Sequence, residues 1–316
     1  MNYPGIILFL VLISQNLAGQ DYAFRVLAAR GDNFLNSIDA SSKLYAGSIL
    51  TSHDELVTTV GSYVGLVHDS GHTLELTKPG KYSIAELYEE VKLKENLAKW
   101  HLNALWDKVF ESLIAAKKSR TGNLGLVVQP IGVNSGKLQA VSLSPQRLNP
   151  VYNIKTEIVW IGGSKSTSSR YVVNVMDLYD HVLISETVSQ SKFTLDFSDD
   201  QLDGGNLISG KEIISFSVHS ADNGGISSWR YGLTRLTGKT AEKVKTEVQF
   251  FEDAVYPSTL LDQLVFATYY EEKGLLQDAL TTYEGLIQKA PDVKDFTLLY
   301  NAFIRRNLEK NKGRGL

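Results

Sequence analysis

The spacing of apolar residues changes three times along the chain, and these changes limit the fold to alternating β and α parts. Residues 22–82 carry short apolar runs separated by turn residues, and the segment TLELT at 73–77 alternates with a period of two. After Ser83 the apolar residues recur at helical spacing to about residue 118. Alternation returns over 151–239 and helical spacing from Thr240 onward. The sequence therefore predicts β, α, β and α parts in that order.

The first helical part has a clear start and end. Ser83-Ile84-Ala85-Glu86 has the pattern of a capping box, in which the Ser83 hydroxyl accepts the Glu86 amide. Apolar spacing then predicts one long helix, or two helices end to end, over about 84–118. The basic cluster from Lys117 suits the dipole of a last helical turn better than nucleic acid. Residues 121–150 carry Gly, Pro and Asn without a sustained period and are predicted to be a linker.

The second half predicts a β domain followed by helices. Alternating segments indicate strands at 154–160, 171–178, 182–186, 193–197, 213–219 and 229–236. Short strands in this number, with Trp160 early and Tyr171 after it, suit a β-sandwich. The absence of cysteine argues against an antibody-type domain and favours a fibronectin-like one. Four helices should follow, at about 240–256, 258–272, 275–289 and 292–309.

The N-terminus indicates export. Gly5 to Leu17 is an almost uncharged apolar run, and it closes on Leu17-Ala18-Gly19. A bilayer-spanning helix needs about 20 apolar residues, so the shorter run is typical of a signal peptide, here 1–19. The alternatives are a buried strand or a retained anchor. We predict a periplasmic or cell-surface protein without a lipid anchor, because a chain that contains no cysteine has no lipobox cysteine.

Two segments resemble known families. The strings LYAGSIL at 44–50, YVGLV at 63–67 and SGHTLEL at 70–76 are similar to the FecR-type periplasmic domain, and the resemblance over about 23–82 implies a small β-roll. Residues 260–291 resemble a tetratricopeptide repeat, whose small, aromatic, glycine and proline positions match Ala267, Tyr270, Gly274, Ala279, Tyr283 and Pro291. The resemblance implies two closely packed antiparallel helices. Such combinations resemble bacterial envelope proteins.

Candidate nucleotide and metal sites have simpler explanations. The segment 205–211 has the glycine spacing of a phosphate-binding loop, but Glu212 replaces the Ser or Thr that holds Mg²⁺. Gly238-Lys239-Thr240 lacks the loop's first glycine, because Leu233 holds that position. His68 and His72 flank a predicted hairpin turn and are interpreted as turn residues, with a metal pair completed by Asp69 as the alternative. We therefore expect no nucleotide, metal or other cofactor.

No pattern of catalytic residues stands out. The chain has no Gly-x-Ser-x-Gly elbow, and Ser217, His219 and Asp222 are too close in sequence for strand residues to converge as a triad. Paired carboxylates such as Glu89-Glu90 lie in polar stretches that are predicted to be solvent-exposed. The net charge of −3 supplies no basic field for nucleic acid. The sequence thus favours a protein that is not an enzyme.

We predict a multidomain chain, all-β plus all-α. It should contain a FecR-like β-roll (20–82), a helical segment (83–120), a linker (121–150), an antiparallel sandwich (151–239) and a tetratricopeptide-like helical region (240–316). The predicted function is a non-enzymatic scaffold that binds another envelope protein. The candidate contact surface is Tyr269, Tyr283 and Tyr300 on the repeat, and core packing is the alternative for these rings. The rival functions are sensing of a small ligand or glycan, and a hydrolase with a site built from distant residues.

Overall fold

The chain combines antiparallel β-sheets with helices, as its sequence pattern predicts. The computed structural model describes residues 22–37, 41–92, 99–119, 138–140, 148–161, 170–198, 210–222, 225–255 and 259–312. The predicted signal peptide lies outside these residues, as do most of the predicted linker and the segment 205–209. Within the described ranges there are four sheets and six helices. None of these helices is both long enough and apolar enough to cross a membrane.

The first β unit, defined as strands β1–β8, consists of two four-stranded antiparallel sheets. Its strands are β1 (Phe24–Arg30), β2 (Asn33–Asn36), β3 (Ser41–Lys43), β4 (Ile49–Leu50), β5 (Glu55–Thr58), β6 (Tyr63–His68), β7 (Thr73–Leu76) and β8 (Gly80–Ser83). The sheet orders are β4-β1-β6-β7 and β3-β2-β5-β8. Phe24, Val26, Leu56 and Val64 are fully buried in the core of this unit. The sequence pattern missed β2, β3 and β8, because short polar strands carry little alternation.

Two helical segments are described after the first β unit, and one long helix or two had been predicted there. They are α1 (Ile84–Lys92) and α2 (Lys99–Ser119). The amide of Glu86 donates to Ser83 Oγ at 3.4 Å, so this half of the predicted capping box forms. Ile84, Leu87 and Val91 join the core of the first β unit. The apolar residues of α2 pack elsewhere, against the C-terminal helices.

The second β unit, defined as β9–β16, contains two sheets that share one core. Its strands are β9 (Gln139–Ala140), β10 (Leu148–Val151), β11 (Lys155–Ile161), β12 (Tyr171–Met176), β13 (Val182–Val188), β14 (Lys192–Asp196), β15 (Ile213–Ser220) and β16 (Tyr231–Arg235). The sheet orders are β10-β16-β15-β12-β13 and β14-β11-β9. Trp160 of one sheet and Phe216 of the other lie in the shared core. All six predicted strands occur within two residues of their expected bounds.

Two features of the second β unit differ from the prediction. Strands β9 and β10 lie inside the stretch predicted to be a linker. Strand β10 runs parallel to β16, so the larger sheet is not purely antiparallel. Both strands are short, and β10 contains Pro150, which the sequence analysis read as a loop residue. Their order depends on backbone pairing with distant strands, which local composition does not reveal.

The C-terminal helices join both β units. They are α3 (Gly238–Ala254), α4 (Leu260–Glu272), α5 (Leu276–Lys289) and α6 (Lys294–Lys312), close to their predicted bounds. Helix α2 packs against α4 and α6, while α5 packs against α4, α6, β10 and β11. We call α2–α6 the helical region. Its core also includes Leu27 and Tyr63 of the first β unit and contacts Val159 of the second. Helix α2 and helices α3–α6, which are distant in sequence, thus contribute to one core.

Candidate functional site

Two of the three candidate tyrosines, Tyr269 and Tyr283, lie on a pair of closely packed helices, α4 and α5. Gly274 separates α4 from α5 and has a φ of 73°, a backbone conformation that favours glycine. Ala267 and Ala279 are both buried in the core of the helical region. Their small side chains are consistent with the close contact between α4 and α5. The local sequence therefore forms two closely packed helices on either side of Gly274.

The three candidate tyrosines do not form an exposed surface. Tyr269 and Tyr283 each expose only 3% of their surface, and Tyr300 is partly buried. Tyr269 donates to Glu247 Oε2 at 2.9 Å, and Tyr300 donates to Glu284. Burial raises the pKa of all three phenols, so they are neutral hydrogen-bonding groups at ordinary pH. The structure thus corrects the predicted contact surface: Tyr269 and Tyr283 lie in the core and Tyr300 packs against it, which was the alternative interpretation.

The α4–α6 face, meaning the side of the helical region formed by α4 and α6, is covered by α2. The apolar side of α2 packs against both helices and is buried through Leu102, Leu105, Trp106, Val109, Phe110 and Leu113. These side chains are between 0% and 4% exposed. A helix of the same chain therefore covers this face of the helical region.

Polar contacts hold α2 against this face along its length. Lys108 of α2 forms an ion pair with Glu272 of α4. Arg306 of α6 donates to Ser112 Oγ at 3.3 Å and forms a two-pronged pair with Glu271, at 2.8 and 3.0 Å. Farther along, Lys117 Nζ lies 3.2 Å from Asp295 Oδ1. Together with the apolar contacts, these pairs specify both the position and the direction of α2.

A carboxylate of the first β unit caps α4. Glu75 Oε1, on β7, accepts the backbone N–H groups of Leu260 and Leu261 at 2.9 and 3.2 Å. It also accepts the Tyr63 hydroxyl at 2.6 Å. The N-terminal amides of a helix have no partner within the helix, and a negative charge there is favourable. Glu75 therefore stabilises α4 and fixes it against β7.

Buried Asp262 adds a second link at the start of α4. Its side chain accepts the Thr73 hydroxyl at 2.7 Å and is 1% exposed. Burial raises the pKa of Asp262 to about 6, although the bonds from Thr259 and Thr73 oppose the rise.

Helices α5 and α6 are linked to the β units by acids in their first turns. Asp278 of α5 accepts the backbone N–H groups of Tyr152 and Asn153, next to β10, at 3.0 and 2.7 Å. Asp295 of α6 accepts the backbone N–H of Ala29, on β1, at 3.1 Å. Asp278 is fully buried, and burial raises its pKa to about 6. Neither acid was predicted to have a structural role, although acids in a first helical turn are a recognisable capping signal.

The histidine turn between β6 and β7 is a compact structural motif. The Nδ1 atoms of His68 and His72 lie 2.6 and 2.9 Å from Ser70 Oγ. Helix α2 holds the turn, because Trp106 donates to the carbonyl of Gly71 and Asn103 to that of Asp69, each at 2.8 Å. Burial lowers the pKa of His68 to about 4, so this ring is neutral at ordinary pH.

The arrangement of this turn differs from that of a metal site. The two ring nitrogens meet at the Ser70 hydroxyl rather than at an open position, and Asp69 Oδ1 lies 3.0 Å from His68 Nδ1. Across the described part of the chain, no group of three or more His, Asp or Glu side chains is arranged to hold a metal ion. The favoured interpretation, turn residues, agrees with these contacts.

The remaining candidates are the group Ser217, His219 and Asp222 and a surface cleft. Ser217 and His219 lie on the outer face of the five-stranded sheet, while Asp222 pairs with Arg170 beyond the end of β15, at 3.4 Å. A cleft of about 640 Å³, lined by Arg30, Gly61, Pro291, Asp292 and Lys294, lies where the first β unit meets the start of α6. Its Arg30 already pairs with Asp292 at 3.3 Å. The residues that line the cleft include no Ser, Thr or His.

Comparison with known proteins leaves the chain without a family assignment. No protein-family model matches it, and no curated protein is detectably similar to it.

Proposed function

We propose that this protein is an exported, non-enzymatic scaffold of the cell envelope that holds two β modules in a fixed relative position for a protein partner. The observation that carries the proposal is the shared core of the helical region, which has contacts to both β units. The modules proposed are a FecR-like β-roll, a fibronectin-like sandwich and a tetratricopeptide-like helical hairpin.

Close contacts between the helical region and the first β unit support a rigid connection between them. At Gly65 of β6, an added Cβ would lie 2.9 Å from Leu261 Cδ2, so β6 and α4 approach more closely than a larger residue would allow. Glu75 and Asp295 add hydrogen bonds to backbone amides across the same boundary. Burial, close packing and directional bonds together resist rotation of one part against the other.

The connection between the helical region and the second β unit is equally direct. Besides the two Asp278 bonds, Thr281 Oγ1 of α5 accepts the backbone N–H of Glu157, on β11, at 2.9 Å. Gln277 of α5 donates to the carbonyl of the same residue. These bonds place α5 along β10 and β11 in one register. Since boundaries on both sides are bonded in this way, the spacing between the two β units should be constant.

The proposal assigns partner contacts to the β modules rather than to the repeat. Helix α2 covers the α4–α6 face, and the second β unit covers part of α5. Aromatic side chains are exposed on both β units, including Tyr45 at 59% and Tyr179 at 79%. Exposed aromatic residues are enriched in protein–protein contacts.

Spin-label distance measurements test the rigid spacing. The chain has no cysteine, so Tyr45→Cys and Tyr179→Cys introduce two unique labelling sites, one on each β unit. We expect one narrow distance distribution, as narrow as that of a control pair within the first β unit, Tyr45→Cys with Val60→Cys. A distribution much broader than the control, or one with several maxima, would contradict the scaffold proposal.

Mass spectrometry of the mature N-terminus tests export separately. We expect a chain that begins at Gln20 in material recovered from the cell envelope, because small residues precede this position. An intact Met1 would overturn the proposed export.

A further inference from the structure

The histidine turn, which comprises residues 68–72, contains a buried ring whose two nitrogens have unequal surroundings. His68 Nδ1 accepts the backbone N–H of Ser70 at 3.1 Å, so this nitrogen carries no proton. The proton of the neutral ring therefore lies on Nε2, which is buried and has no hydrogen-bond partner. The side chain of His68 is 2% exposed and contacts the rings of Phe24, on β1, and Tyr88, on α1. The site thus accommodates a neutral imidazole but provides little solvation for a charged one.

The charged groups that face the His68 ring act in opposite directions. Oδ1 of Asp69 lies 3.0 Å from Nδ1 and attracts a positive charge on the ring. Lys99, on α2, has its Nζ 3.6 Å from Asp69 Oδ2 and repels such a charge, as does a charge on His72. Burial lowers the pKa of His68 to about 4; the attraction of Asp69 opposes this effect, and the repulsion from His72 and Lys99 adds to it.

Helix α2 is bonded to backbone carbonyl groups of the histidine turn. Trp106 Nε1 donates to the carbonyl of Gly71, and Asn103 Nδ2 donates to that of Asp69, each at 2.8 Å. A Cβ added at Gly71 would lie 2.8 Å from Leu102 Cβ, so the turn and α2 are also closely packed. Since both acceptors belong to the backbone of the turn, a change in its shape weakens its bonds to α2.

We propose that the histidine turn is an acid-sensitive latch, which opens and releases its bonds to α2 when His68 takes up a proton. A proton that enters from solvent onto Nδ1 removes the acceptor of the Ser70 N–H, and two N–H groups then point at each other. The new Nδ1–H group has another acceptor in Asp69 Oδ1. The two protonation states therefore favour different bonds in the same turn. Once the Ser70 amide has lost its acceptor, the turn opens and its carbonyls move away from Trp106 and Asn103.

Acid favours the open turn because His68 binds a proton more tightly there. Its pKa is about 4 in the closed turn and takes the ordinary value of about 6.5 when the ring is exposed to water. The ratio of open to closed turn should therefore rise about tenfold for each pH unit between these two values. At neutral pH the closed turn is favoured. The inference depends only on contacts within the chain, so it is independent of export and of partner binding.

Nitrogen NMR of the histidine rings in the full chain tests the closed state. At pH 7 we expect His68 to carry its proton on Nε2, with the chemical shift of an unprotonated nitrogen at Nδ1. A proton on Nδ1 at pH 7 would overturn the proposal, because the Ser70 amide would then have no acceptor to lose.

Hydrogen exchange followed by NMR tests the opening. The protection factor compares the measured exchange rate with that of an unstructured chain at the same pH, so it reports the opening itself. Between pH 7 and pH 5 the protection factors of the Gly71 amide and the Trp106 indole N–H should fall at least about tenfold. The indole N–H of Trp160, buried in the second β unit, should keep its protection. An equal fall at Trp160 would mean that acid unfolds the whole chain, and it would overturn a local latch.

Two matched substitutions test the assignment to His68. His68→Asn keeps an acceptor near the position of Nδ1 and cannot gain a charge, so the protection of Gly71 and Trp106 should not change between pH 7 and pH 5. His53→Asn, at an exposed position outside the turn, should respond like wild type. A fall that persists in His68→Asn, or the absence of any fall in wild type, would contradict the latch. If His68→Asn does not fold, the ring nitrogens and the comparison with Trp160 in wild type decide the question.

Discussion

The carboxylate of Asp278 accepts the backbone N–H of Tyr152 at 3.0 Å, and this bond connects α5 to the second β unit. The same carboxylate accepts the next amide, that of Asn153, at 2.7 Å. Two backbone amides at the start of a β unit thus depend on one buried acid from a helix more than a hundred residues later. The connection between the helical region and the second β unit should be sensitive to this side chain.

Replacing Asp278 with Ala should lower the free energy of unfolding by about 3 kcal/mol, because two buried amides lose their acceptor. Denaturant titration measures the change. Asp253→Ala on exposed α3 removes a carboxylate that only bonds Gln249, and it should change stability by less than about 0.5 kcal/mol. Equal effects of the two substitutions would mean that the Asp278 bonds contribute no more than a surface contact.

The stability of the protein should depend on pH in a way that reflects the titration of Asp278. The folded-state pKa of Asp278 is raised to about 6 from 3.8, so the folded protein binds this proton more tightly than the unfolded chain does. Its contribution to stability is therefore full below about pH 4 and is lost as the pH rises through 6. The difference in unfolding free energy between wild type and Asp278→Asn should fall between pH 4 and 6 and level off above. Asp262 titrates in the same window but is common to both proteins, so a flat difference would contradict the assignment to Asp278.

Two glycine-to-alanine substitutions should have opposite signs. Gly65→Ala places a Cβ 2.9 Å from buried Leu261 and should destabilise the fold by about 1–3 kcal/mol. Gly285→Ala, in α5, has open space around the new Cβ and should stabilise by up to about 1 kcal/mol. Thermal unfolding of both variants checks the pair. A neutral Gly65→Ala would show that β6 and α4 are not closely packed.

The two sides of α2 should respond differently to truncation. Trp106→Ala removes a ring that is 1% exposed, together with its bond to Gly71, and should cost about 3–5 kcal/mol. Ile114→Ala, on the same helix but 46% exposed, should cost much less. Chemical denaturation compares them. Similar losses in the free energy of unfolding would mean that α2 does not pack against the α4–α6 face through the side that carries Trp106.

The spacing of the hydrophobic residues predicted much of the secondary structure but not the packing between distant segments. The helices and the six strands of the second β unit have strong alternation or helical spacing, and each is found near its expected bounds. The spacing also places Tyr269 and Tyr283 on definite sides of their helices. It cannot say what covers those sides, because Glu247 and Phe303 approach from other helices.

The position of α2 likewise shows that residue spacing does not reveal which distant elements a helix packs against. Its apolar stripe was visible in the sequence, but the two helices it packs against, α4 and α6, begin about 140 and 175 residues after it ends. The ion pairs that orient it join residues more than 160 positions apart, such as Lys108 and Glu272. The surroundings of Asp262 and Asp278 were not predictable either, because only the folded chain shows the amides and hydroxyls around their carboxylates.

Zero-length crosslinking of the unmodified chain tests the placement of α2 most directly. Carbodiimide joins an amine to a carboxylate only when they are in contact, and mass spectrometry identifies the joined peptides. We predict amide links from Lys108 to Glu272 and from Lys117 to Asp295, together with a control link between Lys43 and Asp32 in the first β unit. Detection of the control link without either α2 link would contradict an α4–α6 face that is filled by the chain's own helix.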